Sequence, residues 1–436
     1  MRWKTTEYTG WGRALRARAD LARPERQSAL ARITAQTPAP AIGQLRSYGD
    51  VALNSGGKAI DMTRLDRILG FDEENAVVEV EAGVRIGDLG LAFAARGWIA
   101  PVMPGTGFAT IGGCIANDVH GKNHHVVGSF GQHVVEITLL QQGRRRRLTP
   151  EKTPDLFRAT VGGLGQTGVI ASAKLRLMPC PGDMMVLTER RIDGWDEFLA
   201  MLDSSRANYT VGWIDATAKG ARLGRGILEE GEITSGVSPT RSRAREVPFD
   251  APQWALSAPV VRLFNEAYFR RVPAGGRTTV KPISAPFFPL DRIHNWNRLY
   301  GRRGFHQFQC VVPVAEAPAL RRMLERIANS GLASPLAVLK RMGEGRGGYL
   351  SFPMEGYTLA VDFPNRPAAV ALIAELERMT EEAGGRIYLA KDALTSPERV
   401  RRMYPEHEKW LNAVTRADPE GHLITDMVRR LKLRSA

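Results

Sequence analysis

PGTGFATIGGCIANDVHGKNH, residues 104–124, sets five glycines (Gly105, Gly107, Gly112, Gly113 and Gly121) among small, β-branched and polar residues. Glycine lets a backbone approach a ligand closely and turn its N–H groups toward it, as an anionic pyrophosphate requires. A second compact string, RSYGD at residues 46–50, lies upstream. Neither is a Walker loop, and neither reads as strand, GxGxxG, helix, so a Rossmann site is not supported.

Outward from these loops, the first 180 residues are rich in short strands. AVVEVEAGV (76–84) alternates as a half-buried strand does, and IGDLGLAFAARG (86–97) reads as a helix closed by a C′ glycine. VVEITLLQQ and VIASAKLRLM continue the strand pattern, with GGLGQTG (162–168) as a further glycine-rich turn. After Pro179 and Pro181 the texture changes. FQCVVPV (308–314) and YTLAVDFP (357–364) alternate with the amphipathic helices PALRRMLERIANSG and PAAVALIAELERMTEEAGG. The expectation is an α+β chain of two lobes, 1–180 and 181–403, the second an α/β lobe laying a sheet over the first. A polar helical tail, 404–436, is expected to return to the first lobe. Residues 220–277, rich in arginine, serine and proline and weakly periodic, are expected to form a mobile loop or lid.

Composition bounds the function. With 436 residues and 43% hydrophobic content, the chain is long enough for two joined cores. No stretch reaches the roughly 18 apolar residues of a membrane span, and the basic amino terminus lacks an apolar segment. A cytoplasmic protein is expected, with any membrane contact peripheral and at the inner face. Cys114, Cys180 and Cys310 form no CxxC pair and read as free thiols. The net charge is +14, but only 11 of the 60 basic residues are lysines, so an arginine-biased genome explains as much of it as a binding surface. Charge of this sign draws a protein to anionic lipid or to a phosphorylated substrate. No helix-turn-helix, zinc-finger or RNP pattern accompanies it, and nucleic acid is not expected. The run 144–147 after Gly143 reads as a solvated hairpin turn.

The glycine loops look like the flavin-cradling loops of the vanillyl-alcohol-oxidase type of FAD enzyme. Over nearly its whole length the chain resembles the decaprenylphosphoryl-β-D-ribose 2′-oxidase family. The likeness is carried by RSYGD, IDMTRLDRI, the 104–124 string, GSFGQHV, ATVGGLGQTGVI, WNRLYG, SFPMEGY, VDFP and GGRIYLAKD. It implies a two-lobed flavoprotein that oxidises the 2′-hydroxyl of a polyprenylphosphoryl ribose, the first step of epimerisation to the arabinose used in cell-wall arabinan. It also implies a quinone or oxygen as electron acceptor and a short-chain reductase as partner.

Positions follow from the same resemblance. Gly43, Arg46, Ser47, Tyr48, Gly49 and Asp50 are matched to the pyrophosphate and adenine side of FAD. Gly105, Thr110, Gly112, Gly113, Asn117 and His120 are matched to the ribityl chain and the approach to the isoalloxazine, with Ile170 and Tyr388 as further flavin contacts. Many relatives carry a flavin-linking histidine where Asp50 stands; a carboxylate cannot form that bond, so non-covalent FAD is expected. The family has glycine where Leu45 sits, so here the first loop must turn with a side chain in place.

Oxidising a secondary alcohol sends a hydride to the flavin and a proton elsewhere, and the protein supplies position and charge. Lys391 in LAKD is the candidate for stabilising the anion of the reduced ring, against a competing ion pair with Asp392. His120 and Tyr48 are matched near the ring. Histidine changes protonation near neutral pH and tyrosine orients, with the proton acceptor left open among His120, Lys391 and water. Gln307 and Gln309 share one strand face, with His306 and Phe308 on the other, and match sugar-reading amides. Lys340 is matched to phosphate, against a plain surface lysine. Thr358 and Ala360 stand where mycobacterial members have asparagine and the cysteine that nitroaromatic inhibitors attack. His120, His124 and His125 lack a fourth ligand of metal-site type, so no metal is expected. Two other readings stand beside this one. A sugar, alditol or aldonolactone oxidase of the same fold usually carries the linking histidine and a carboxy-terminal histidine-tryptophan pair, and neither is found. The other is a non-catalytic flavin-binding protein.

Overall fold

Strand-forming runs sort into two main sheets in a computed structural model, which describes residues 2–238 and 244–435. The first sheet has five antiparallel strands in the order Ile68–Asp72, Val77–Glu81, Val169–Arg176, Val134–Gln141 and Arg144–Leu148. Alternation in Val77–Glu81 buries Val78 and Val80 against Ile86, Leu89 and Phe93 of the helix Ile86–Ala94. A four-stranded sheet, Lys4–Thr9, Arg16–Ala22, Lys58–Asp61 and Ala41–Ile42, leads directly into the first glycine loop.

The second sheet has eight strands and is antiparallel throughout. Its order is Arg277–Pro282, Met184–Ile192, Gly226–Thr234, Tyr209–Ile214, Ala337–Met342, Gly356–Pro364, Phe305–Val312 and Arg386–Ile387. Helices cover one face. Ala317–Ser330 buries Leu320, Met323, Leu324 and Ile327 at helical spacing and ends on left-handed Gly331. Each such side chain contributes roughly 2 kcal/mol of burial. Phe308, Cys310 and Val312 join that core, which leaves Gln307 and Gln309 on the face toward the first lobe.

Three expectations need correction. Residues 220–277 are not simply loop, although 239–243 lie outside the described residues. They contain the sheet strand Gly226–Thr234 and the helix Ala258–Arg270. The strand's alternation is hidden by Glu229 and Glu230, which pair with Lys122, Arg271 and Arg190. The turn before the arginine run is Gln142–Gly143, both at positive φ, and the arginines themselves form an exposed strand at the sheet edge, where charge discourages edge pairing. The tail is less polar than its sequence reads. Its helices His407–Ala417 and Asp426–Arg430 bury Trp410, Val414, Met427 and Val428.

Candidate active site

Between the two sheets lies a cavity of about 450 Å³, within the roughly 300–1,000 Å³ usual for ligand sites. Its first-lobe wall holds Gly43, Arg46, Ser47 and Tyr48 from one loop, and Gly105, Thr110, Gly112, Gly113, Asn117 and His120 from the other, with Ile170 behind them. Its roof holds Gln307, Gln309, Lys340, Thr358 and Ala360 from three adjacent strands, with Tyr388 and Lys391 from the segment after Arg386–Ile387.

The first loop is pinned at its end and open in its middle. Trp11 N donates to Ser47 O (2.7 Å) and Tyr48 N to Ala390 O (3.0 Å), while the N–H groups of Gln44 to Ser47 find no acceptor among the described residues. Leu45 holds φ +53°, a left-handed conformation that costs a side chain about 1 kcal/mol. The Arg46 guanidinium lies 3.9 Å from the Trp11 ring centre and 4.3 Å from that of Phe108, and its Nε is buried without a partner. Asp291, from the second lobe, accepts from Thr106 Oγ1 and Gly107 N, both at 2.7 Å, and so latches the second glycine loop. A Cβ on Gly43 would lie 2.3 Å from Thr110 Oγ1, so the two loops touch there, whereas a Cβ on Gly105 would meet nothing within 4 Å.

These features test the fit of FAD. Free backbone N–H groups, the unpartnered Arg46 Nε, Asn117 Oδ1 and His120 Nδ1, and the open space at Gly105 all belong to cavity-lining residues. Buried polar atoms need partners, and a pyrophosphate with a polar ring edge supplies them. The residues present fit FAD.

Gly49 and Asp50 do not line the cavity, contrary to expectation. A Cβ on Gly49 would sit 1.6 Å from Asp392 O, so this glycine lets two backbones meet. Asp50 is buried away from the cavity, where a carboxylate needs a cation. It accepts two 2.8 Å hydrogen bonds from Arg430 of the tail. Arg430 also bonds Asp392 at 2.8 Å, so Asp392 is not the partner of Lys391.

Lys391 instead lies over Tyr48, with Nζ 3.5 Å from the ring centre. Burial pulls Lys391 well below the usual lysine range, and the charge of Asp362 opposes the shift. Burial pushes the Asp362 carboxyl up, against the hydrogen bond from Gln307 and the charge of Lys391. Asp362 accepts from Gln307 Nε2 at 2.5 Å and from Tyr300 OH at 3.2 Å. Sequence reasoning passed over Asp362, although an acid between Val361 and Phe363 in an apolar strand was a signal. Burial also keeps the Tyr48 hydroxyl far above its ordinary range and hence protonated.

Gln309 Nε2 lies 3.3 Å from His120 Nε2 and 3.4 Å from Thr358 Oγ1. Burial, then the charge of Lys340, holds His120 well below its ordinary value, so the ring is neutral. With the amide donating to Nε2, the proton sits on the unpartnered Nδ1. Lys340 is no surface lysine. Burial and the neighbouring charge of Lys122 bring it down to about 8. Lys122, also passed over, lines the cavity and pairs with Glu229 at 3.5 Å. Arg46, Lys122, Lys340 and Lys391 thus bring four cations to walls whose acids are Glu229 and Asp291. His124 and His125 bond the carbonyls of Gly345 and Ala207, and no metal-holding cluster of His, Cys, Asp or Glu occurs among the described residues.

Comparison with known proteins identifies relatives of this chain. The family model of an FAD binding domain matches residues 23–149. Decaprenylphosphoryl-beta-D-ribose oxidase of Mycolicibacterium smegmatis is 39% identical over 406 residues, 89% of this chain and 88% of that one. An uncharacterized protein in mprA 5'region of Streptomyces coelicolor is 32% identical over 77% of this chain and 96% of its own. The D-lactate dehydrogenase of Anaerostipes hadrus shares 33% identity over only 30% of this chain and 29% of its own length. With identity sustained across both lobes and a cavity that fits FAD, the chain belongs to the decaprenylphosphoryl-β-D-ribose oxidase family of FAD-dependent oxidoreductases.

Proposed function

We propose that this protein oxidises the 2′-hydroxyl of a polyprenylphosphoryl-β-D-ribose to the ketone, and that a short-chain reductase partner then completes epimerisation to the arabinose. The observation that carries this reading is a single cavity whose flavin-fitting loops face two amides and two lysines on the roof. The loops carrying Gly43 to Tyr48 and Gly105 to His120 would hold FAD, which would supply the hydride acceptor for oxidation at the carbinol carbon. Asp362 orients Gln307 by taking its NH2 group, which leaves Oε1 free for a sugar hydroxyl. Gln309 is held by His120 and Thr358 in the same way. In this reading the Lys391 ammonium over Tyr48 supplies positive charge to meet the negative charge that the reaction develops. Neutral His120 offers its Nδ1–H to a ligand oxygen and holds rather than abstracts. Lys340 and Lys122 are the phosphate contacts in this reading.

The pairing of Asp50 with Arg430 supports non-covalent FAD. The electron acceptor in this reading is a quinone or oxygen. Among the described residues no helix is long and apolar enough to cross a membrane. In this reading the lipid-linked substrate is met by peripheral contact at the inner membrane face.

Anaerobic addition of a short-chain, water-soluble polyprenylphosphoryl ribose tests the proposal. Prompt bleaching of the visible flavin spectrum is expected. Bleaching by free sugars or lactones alone would overturn it in favour of a sugar or lactone oxidase. Bound flavin that no sugar reduces would leave the non-catalytic reading.

A further inference from the structure

The helix Ala258–Arg270 turns Val261, Asn265 and Phe269 inward at a spacing of four. Its other side is also apolar: Val260, Leu263 and Phe264 are exposed, Leu263 at 74%. A helix apolar on both sides is ordinarily covered on both. Beside it, the turn Gln253–Leu256 packs on this helix and on Trp296–Tyr300. Phe249 (70% exposed), Trp254 (69%) and Leu299 add exposed apolar surface on or next to these packed elements. Single exposed apolar residues are ordinary, but a contiguous group marks an interaction site.

The charge on this face is one-sided. Glu266 is paired with Arg225 and Arg270, Asp250 with Arg13, and Glu246 with Arg298. Arg262, Arg302 and Arg303 are exposed and form no ion pair among the described residues. The face is also continuous with the cavity. Phe264 stacks on Tyr268 (5.9 Å, 17°), Tyr268 packs on Trp213 (4.7 Å), and these last two line the cavity.

We propose that this apolar, arginine-bearing face docks on an anionic phospholipid bilayer, and that the Phe264–Tyr268–Trp213 ladder leads from the bilayer to the cavity. The ladder's role rests on the lipid-linked substrate proposed above; the docking itself does not. A second copy of the chain fits less well, because two-fold pairing sets like charges against each other, whereas lipid phosphates supply the missing negative charge.

The test is sedimentation of the FAD-loaded protein with vesicles of phosphatidylcholine, alone or mixed with phosphatidylglycerol. Binding to the anionic vesicles that weakens with salt is expected. The double variant Trp254→Ser/Leu263→Ser should lower binding about tenfold, and Arg262→Glu should remove much of the salt dependence. Both variants should still bleach with the water-soluble substrate at the native rate. A native protein that stays in the supernatant, or a double variant that binds equally, would overturn docking. So would a dimer in sedimentation velocity that the same variants dissociate, if vesicles are not bound. Vesicle binding without bleaching by the short-chain substrate would sink the functional reading while leaving docking in place.

Discussion

Asn117 and His120 share one loop with Asp118 and His124, yet the buried polar atoms of the two pairs meet opposite fates. Asp118 accepts from Ser129 Oγ (2.8 Å), Gly131 N (2.7 Å), Gly347 N (2.8 Å) and Ser351 Oγ (2.5 Å), tying the first lobe to the second. His124 takes Gly343 N on Nδ1 and gives Nε2 to Gly345 O. Asn117 Oδ1 and His120 Nδ1, which belong to residues facing the cavity, have no partner. Satisfied polar groups hold the fold, whereas unsatisfied ones at a cavity wall await a ligand. Type and spacing alone do not separate the two classes.

The sharpest way to break that contrast is Asp118→Ala. Four donors would lose their acceptor, and unfolding in urea should show a loss of at least about 3 kcal/mol; a loss below about 1 kcal/mol would refute the structural role. Lys391→Ala should act instead on the chemistry, slowing flavin reduction by about 10²–10³-fold. An unchanged reduction rate would remove Lys391 from the chemistry.

Asp362→Asn separates charge from position. The Lys391 ammonium is useful only while protonated, so activity is present below its pKa and lost as pH rises through it. Burial already lowers that pKa and the Asp362 charge raises it. Removing the charge therefore moves the alkaline limb of the reduction rate to lower pH, with a rate loss of about tenfold near neutrality. A limb that stays in place would show that Asp362 does not act on Lys391.

Smaller effects sharpen the picture. Leu45→Gly should stabilise by about 0.5 kcal/mol at most, because relief of the strain at φ +53° is largely offset by the added chain entropy; a lower melting temperature would count against strain there. Cys114, Cys180 and Cys310 are all buried, and none lines the cavity. A nitroaromatic inhibitor of the family should consequently leave the intact mass unchanged, and a stable adduct would refute this.

Local features are written in consecutive residues of the sequence. Glycines within 43–49 and 105–121 marked the loops that line the cavity, and period-two runs marked strands, including the shared face of Gln307 and Gln309. Sequence reasoning missed the strand Gly226–Thr234 and the helix Ala258–Arg270 because charges paired elsewhere, and apolar residues on both helix sides, blurred their periods. Partners are set by proximity in the folded chain. Arg430 reaches Asp50 across 380 residues, Asp291 latches Gly107 across 184, and Gln309 meets His120 across 189. Hydrogen bonds and charges act through distances of a few ångströms in space, and spacing along the chain carries no record of those distances.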